Sequence, residues 1–202
     1  MISVYQLKPA FQGCLRPVTR WFAAVGVSAN QVTLAALALS VIAGTAIALF
    51  PDARWPLLLL PVTLLARMAL NAIDGMLACE HDMKTRLGAV LNELGDVFSD
   101  CALYLPLALV PGIAAPWVVA LTVLAVIAEM SGVIGVQIGA TRRYDGPMGK
   151  SDRALALGAI GLLLGLGVEP GVWLTLVLIA INLLLVVTII NRARRALREI
   201  AS

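Results

Sequence analysis

The sequence predicts an all-α integral membrane protein: six transmembrane helices preceded by an amphipathic helix lying in the membrane interface. Three observations carry this reading. Of 202 residues, 60% are hydrophobic and 13% are charged, against about 45–50% and about 25% in a soluble domain. The apolar residues fall into runs near the roughly 20 residues needed to cross the hydrocarbon core. The basic residues collect on alternate loops, as they do on the cytoplasmic side of membrane proteins. Such a composition excludes a secreted, fibrous or disordered chain. Aromatic residues make up only 5%, too few for a base-stacking platform, so no nucleic-acid partner is expected. Cys14, Cys79 and Cys101 are scattered, without Cys/His metal spacing, which argues against a disulfide framework and a zinc site.

The elements follow in chain order. Val4, Leu7, Phe11, Leu15, Val18 and Phe22 recur every three or four residues, with Lys8, Arg16 and Arg20 between them. An apolar stripe with basic flanks predicts an interfacial helix over residues 1–25. Pro9 and Pro17 predict breaks or kinks within it. The first span, 31–50, is uncharged and stops at Pro51-Asp52. The second, 55–79, holds Arg67, Asn71 and Asp74, and the third, 87–110, holds Asn92, Glu93, Asp96 and Asp100. The fourth, 114–140, carries one acid, Glu129, which is expected to pair with Arg67 or to stay protonated. The fifth, 154–168, is short and glycine-rich, with Ser151 as an alternative start. Its Gly161 and Gly165 suit close helix packing. The sixth, 171–190, is clean apart from Asn182. The chain reads as a single domain over residues 1–202, with a six-helix bundle at 31–191 and a basic tail at 192–202.

Six spans put both termini on one side. That side holds thirteen of the Lys and Arg residues, the other only Arg54, and Arg67 lies within a span. The asymmetry predicts cytoplasmic termini, in a membrane read as the bacterial inner membrane.

Charge at membrane depth costs about 2.5–3.5 kcal/mol per residue on insertion scales, so the polar residues of spans two and three need a reason. Asn71, Asp74, Gly75 and Ala78 share one helix face, as do Gly88, Asn92, Asp96 and Asp100. The short turn at 80–86 joins the spans, so an antiparallel pair can present the two faces to each other at the cytoplasmic end. Converging oxygen ligands suit a hard divalent cation, which shares its coordination between carboxylates and a substrate phosphate. A neighbouring carboxylate can act as general base on a hydroxyl. Interhelical hydrogen bonding and a proton relay are the alternatives that use no ligand.

The stretch Asn71-Ala-Ile-Asp74-Gly75-Met-Leu-Ala78-Cys79, eight residues, then Gly88-Ala-Val-Leu-Asn92-Glu-Leu-Gly-Asp96 resembles the signature of the CDP-alcohol phosphotransferases, D-x-x-D-G-x-x-A-R-x8-G-x-x-x-D-x-x-x-D. Every spacing fits, and Asp74, Gly75, Ala78, Gly88 and Asp96 match in identity. The six spans, the interfacial helix and the Asn30-Gln-Val-Thr33 opening of span one are similar to the family as well. The resemblance implies a phospholipid-synthesis enzyme. It would move a phosphatidyl or other phosphoalcohol group from a CDP-linked lipid, usually CDP-diacylglycerol, to a small alcohol, releasing CMP. It implies two divalent cations, Mg²⁺ or Mn²⁺, held at positions Asn71, Asp74, Asn92 and Asp96, with Asp96 also the catalytic base. Gly75, Ala78 and Gly88 would give room to the nucleotide. A homodimer is compatible with this reading.

Three positions depart from the pattern: Asn71 and Asn92 stand for aspartates and Cys79 for the arginine. An amide oxygen ligates without charge, and a thiol cannot grip phosphate as a guanidinium does. A non-catalytic nucleotide- or lipid-binding relative therefore stays open as the alternative, with a small transporter behind it. Glu93, Asp100 and Arg86 are nearby substitutes. The connection from Arg142 to Arg153 is either a plain basic loop or a site for the acceptor or a phosphate; Lys150 and Arg153 are the candidates because they enter span five.

Overall fold

The computed structural model describes residues 8–201, all of whose regular elements are helical. Helix α1 (Lys8–Ala24) is followed by α2 (Ala29–Leu49), α3 (Trp55–Glu80), α4 (Arg86–Tyr104), a short 3-10 helix (Leu105–Leu109), α5 (Ala115–Gln137), α6 (Lys150–Gly165) and α7 (Val172–Ile200). Of the segment expected at the N-terminus, Val4 and Leu7 of the stripe and the side chains of Lys8 and Pro9 lie outside the described residues. The break expected at Pro17 is absent, because α1 continues through it. Leu15 and Phe22 of the stripe pack toward Ile73, Met76 and Leu77, whereas Val18 is exposed.

Four helices, α2, α3, α5 and α7, are long and apolar enough to cross a membrane. Their outer faces keep residues such as Val62, Leu65, Val123, Met130, Leu176 and Leu183 exposed, which suits hydrocarbon rather than water. Helix α4 carries its charges and α6 is only 16 residues long, so these two fall short on composition and length respectively.

Local chemistry sets the ends. Ser28 and Gln31 form a reciprocal capping box at the start of α2: Gln31 N–H donates to Ser28 Oγ at 3.3 Å, and Ser28 N–H to Gln31 Oε1 at 2.9 Å. Thr85 caps α4 through Gly88 N–H at 2.8 Å. The third expected span ends early as α-helix, because Pro106 lacks an amide hydrogen and the chain tightens into the 3-10 turn. Helix α6 starts at Lys150, nearer the alternative start than residue 154, with Asp152 Oδ2 accepting from Gly149 N–H at 3.0 Å. The tail expected from residue 192 is the last part of α7 itself.

Helix α2 is the hub, packed on both α3 and α4, while α3 also packs on α6, and α5 on α4 and α7. Small residues permit the closest crossings. A Cβ on Gly44 would run into the Ala102 carbonyl of α4, and one on Gly161 would lie 3.0 Å from the Leu57 carbonyl of α3. The close-packing role expected of Gly161 and Gly165 is thus seen, against α3. Leu60, Leu64, Leu103, Leu121, Leu157 and Leu178 form the central apolar core.

Candidate active site

The polar residues of α3 and α4 meet at the end of the bundle that carries the α3–α4 turn and the α5–α6 connection. The two helices are not close-packed along their length; long side chains span the space between them. Asn71 Nδ2 donates to Asp96 Oδ1 at 3.1 Å. One turn deeper, Arg67 Nη1 donates to Asp100 Oδ1 at 2.5 Å and its Nη2 to the Asp96 carbonyl at 3.0 Å. Lys150, at the first position of α6, makes an ion pair with Asp96 Oδ1. Asp96 is therefore half-buried beneath an ammonium and an amide, with the Arg67 guanidinium 3.7 Å away.

Asp74 is buried, 4% exposed, and accepts from Thr33 Oγ1 of α2 at 2.8 Å. Gly75 is exposed with open space where a side chain would be. Ala78 and Asn92 are half-buried and Cys79 is exposed. Gly88 is placed differently: a Cβ there would come within 2.7 Å of Asn30 Oδ1 and 2.9 Å of Thr85 Oγ1. Its smallness admits the start of α2 and the cap of its own helix.

Behind this opening runs a buried chain of ion pairs. Arg153 is fully buried; its Nη2 lies 2.7 Å from Asp100 Oδ2 and 3.0 Å from Glu129 Oε1. An acceptor contact at Arg153 would require one of these pairs to open. Glu129 also meets Arg142 at 3.4 Å and Arg192 at 3.7 Å. The expected Glu129–Arg67 pairing is not formed, because Arg67 is taken by Asp100 and Asp96. Among the described residues no group of three His, Cys, Asp or Glu side chains is placed to hold a metal. Of the four positions expected to hold a metal, Asp74 and Asp96 supply carboxylates and Asn71 and Asn92 amides. Those oxygens fit a hard cation that completes its coordination on phosphate.

The family model described as CDP-alcohol phosphatidyltransferase matches residues 26–190. The chain belongs to the CDP-alcohol phosphatidyltransferase family. Within that family it is 46% identical over 198 residues to the inner membrane protein YnbA of Escherichia coli strain K12, covering 97% of each chain. Its fold is similar to that of Mycobacterium tuberculosis phosphatidylinositol phosphate synthase PgsA1 in two crystal structures. The one with CDP-DAG bound superposes with a TM-score of 0.74 at 18% identity, covering 90% of this chain and 92% of that one. The one in complex with manganese and citrate gives the same TM-score and identity over 90% and 88%. At that identity the likeness shows the fold. The apolar helices and the inner-membrane relative make this phosphatidyltransferase-family chain an integral membrane protein.

One residue that shapes the site is not singled out by the sequence. Thr33, which orients Asp74, was visible only as part of the Asn30–Thr33 stretch; nothing local in the sequence pairs it with a residue 41 positions away.

Proposed function

We propose that the protein transfers a phosphatidyl group from a CDP-alcohol, with CDP-diacylglycerol as donor, to an acceptor alcohol and releases CMP. The observation that carries this reading is the Asn71–Asp96 hydrogen bond across α3 and α4, beside the open Gly75, within the family-matched stretch. The solved PgsA1 structures contain CDP-DAG in one case and manganese in the other, which supports the donor and a divalent cation, Mg²⁺ or Mn²⁺.

Asp74, Asp96 and the carbonyl oxygens of Asn71 and Asn92 would hold the cation. When bound, it supplies positive charge against the pyrophosphate and the leaving CMP. Two carboxylates balance one divalent ion; a second has to draw its balance from the pyrophosphate. The chain's own residues do the rest. Thr33 fixes the Asp74 carboxylate. Gly75 and Ala78 leave room for the nucleotide, with Gly88 keeping the floor of α4 close to Asn30. The acceptor oxygen attacks the phosphorus that carries the lipid, and the bond from that phosphorus to the bridging oxygen breaks, its electron pair leaving with CMP. Asp96 takes the hydroxyl proton at its carboxylate. Lys150, already on Asp96 Oδ1, holds that carboxylate in place. The termini and the site face the cytoplasm, with all six helices α2–α7 embedded in the inner membrane.

The test is CMP release from labelled CDP-diacylglycerol by the full chain in lipid nanodiscs, with Mg²⁺ or Mn²⁺ and a panel of alcohols. Release that disappears in Asp96→Asn supports the reading. Absence of release with every cation and alcohol overturns it in favour of a non-catalytic binder, the reading that Asn71 and Asn92 would favour.

A further inference from the structure

We infer that the acceptor is an alcohol without a phosphate group, of zero net charge. The inference rests on the transferase reading above and names the substrate class of that same site. A site for a phosphorylated alcohol needs cations whose charge is not already spent on the protein. The α5–α6 connection is the basic segment that borders the opening, and each of its cations faces a carboxylate. Arg142 Nη2 lies 2.8 Å from Glu93 Oε2 and 3.4 Å from Glu129 Oε2. Arg143 is paired with Glu199 and lies 3.9 Å from Asp145. Lys150 is paired with Asp96, and Arg153 with Asp100 and Glu129.

The end of α7 repeats the pattern. Arg192 lies 3.7 Å from Glu129 Oε2, and Arg195 lies 2.6 Å from Asp145. Lys84 and Arg86 are exposed on the α3–α4 turn, outside the α5–α6 connection. The cations of the connection, with Arg192 and Arg195, thus each already face a carboxylate of the protein. A phosphate approaching Arg142 would meet Glu93 and Glu129 at the same time, and like-charge juxtaposition is what excludes a wrong ligand. Glu93 is the specificity-determining residue of this arrangement. It lies three residues before Asp96, on the same side of α4, and pairs with Arg142 at 2.8 Å.

The experiment compares glycerol with glycerol 3-phosphate, and inositol with inositol 1-phosphate, as acceptors for the full chain in nanodiscs with CDP-diacylglycerol and Mn²⁺. The plain alcohol of each pair is expected to give the higher kcat/KM, by about tenfold or more. In Glu93→Gln, Arg142 loses one of its two carboxylates, and the ratio of kcat/KM for glycerol 3-phosphate over glycerol is expected to rise about tenfold. Preference of the parent for the phosphorylated partner overturns the inference while leaving the transferase reading standing. An unchanged ratio in Glu93→Gln overturns the role given to Glu93. No CMP from any alcohol overturns the transferase reading, and this inference with it.

Discussion

Arg67 on α3 and Asp100 on α4 form a buried ion pair with an Nη1–Oδ1 distance of 2.5 Å, both side chains 3% exposed. Asp100 receives Arg153 of α6 on its other oxygen, so three helices are tied at one carboxylate. The pair lies one turn below Asp96, and Arg67 also holds the Asp96 carbonyl. It therefore sets both the spacing of α3 from α4 and the position of the proposed base.

Removal of one partner strands the other charge in the bundle. Asp100→Ala is expected to lower stability by about 3–5 kcal/mol, the usual cost of breaking a buried pair, read as a reduced Tm in detergent. Arg67→Met with Asp100→Leu removes both charges, and should recover part of that loss. A single variant as stable as the parent would show that the pair does not hold the helices.

Divalent metal binding is expected to depend on Asp74 and Asp96. Asp74→Ala leaves neutral amides and one carboxylate already shared with Lys150, too little to offset the cation's dehydration. Mn²⁺ binding followed by electron paramagnetic resonance should fall to background in Asp74→Ala and in Asp96→Ala. Binding at parental strength in both variants would remove the metal from this site.

Restoring the family pattern with Asn71→Asp, Asn92→Asp and Cys79→Arg adds two carboxylates and a phosphate-binding fork. Cys79 is exposed and Asn92 half-buried, so the helices should tolerate the change. If the parent is a weakened enzyme, Mn²⁺ affinity and CMP release should rise together. If the parent is adapted to its amides, crowded carboxylates should lower release. Equality with the parent in both assays would mean that these positions do not line the site.

Topology has its own test. An introduced cysteine near Arg54 should react with an impermeant reagent applied outside, and one near Arg195 should not, in a background where Cys14, Cys79 and Cys101 are replaced. The reverse pattern would put the site in the wrong compartment.

Close crossing of α2 and α4 predicts that Gly44→Ala costs about 1–3 kcal/mol, the usual range for overpacking, because its new methyl would meet backbone at Ala102 rather than a side chain that can turn away. A Tm equal to the parent's would mean that the helices can part there freely.

By itself, the sequence determined what depends on local order. Apolar runs, prolines and glycines placed the starts of the helices to within about four residues, and the spacing from Asn71 to Asp96 carried the family. Even there, local rules erred where tertiary packing outweighed them: α1 passes through Pro17, and α7 runs on past residue 191 with Arg192 buried against α5. Only the tertiary structure decided the partners. Arg67 could have reached Glu129 as well as Asp100, and nothing in their order along the chain chooses between them. The choice follows from α2 lying between α3 and α4, which brings Thr33 to Asp74 and leaves Glu129 to the arginines of α5–α6 and α7. A buried charge takes the nearest opposite charge that its helix can reach, and that distance exists only once the helices are packed.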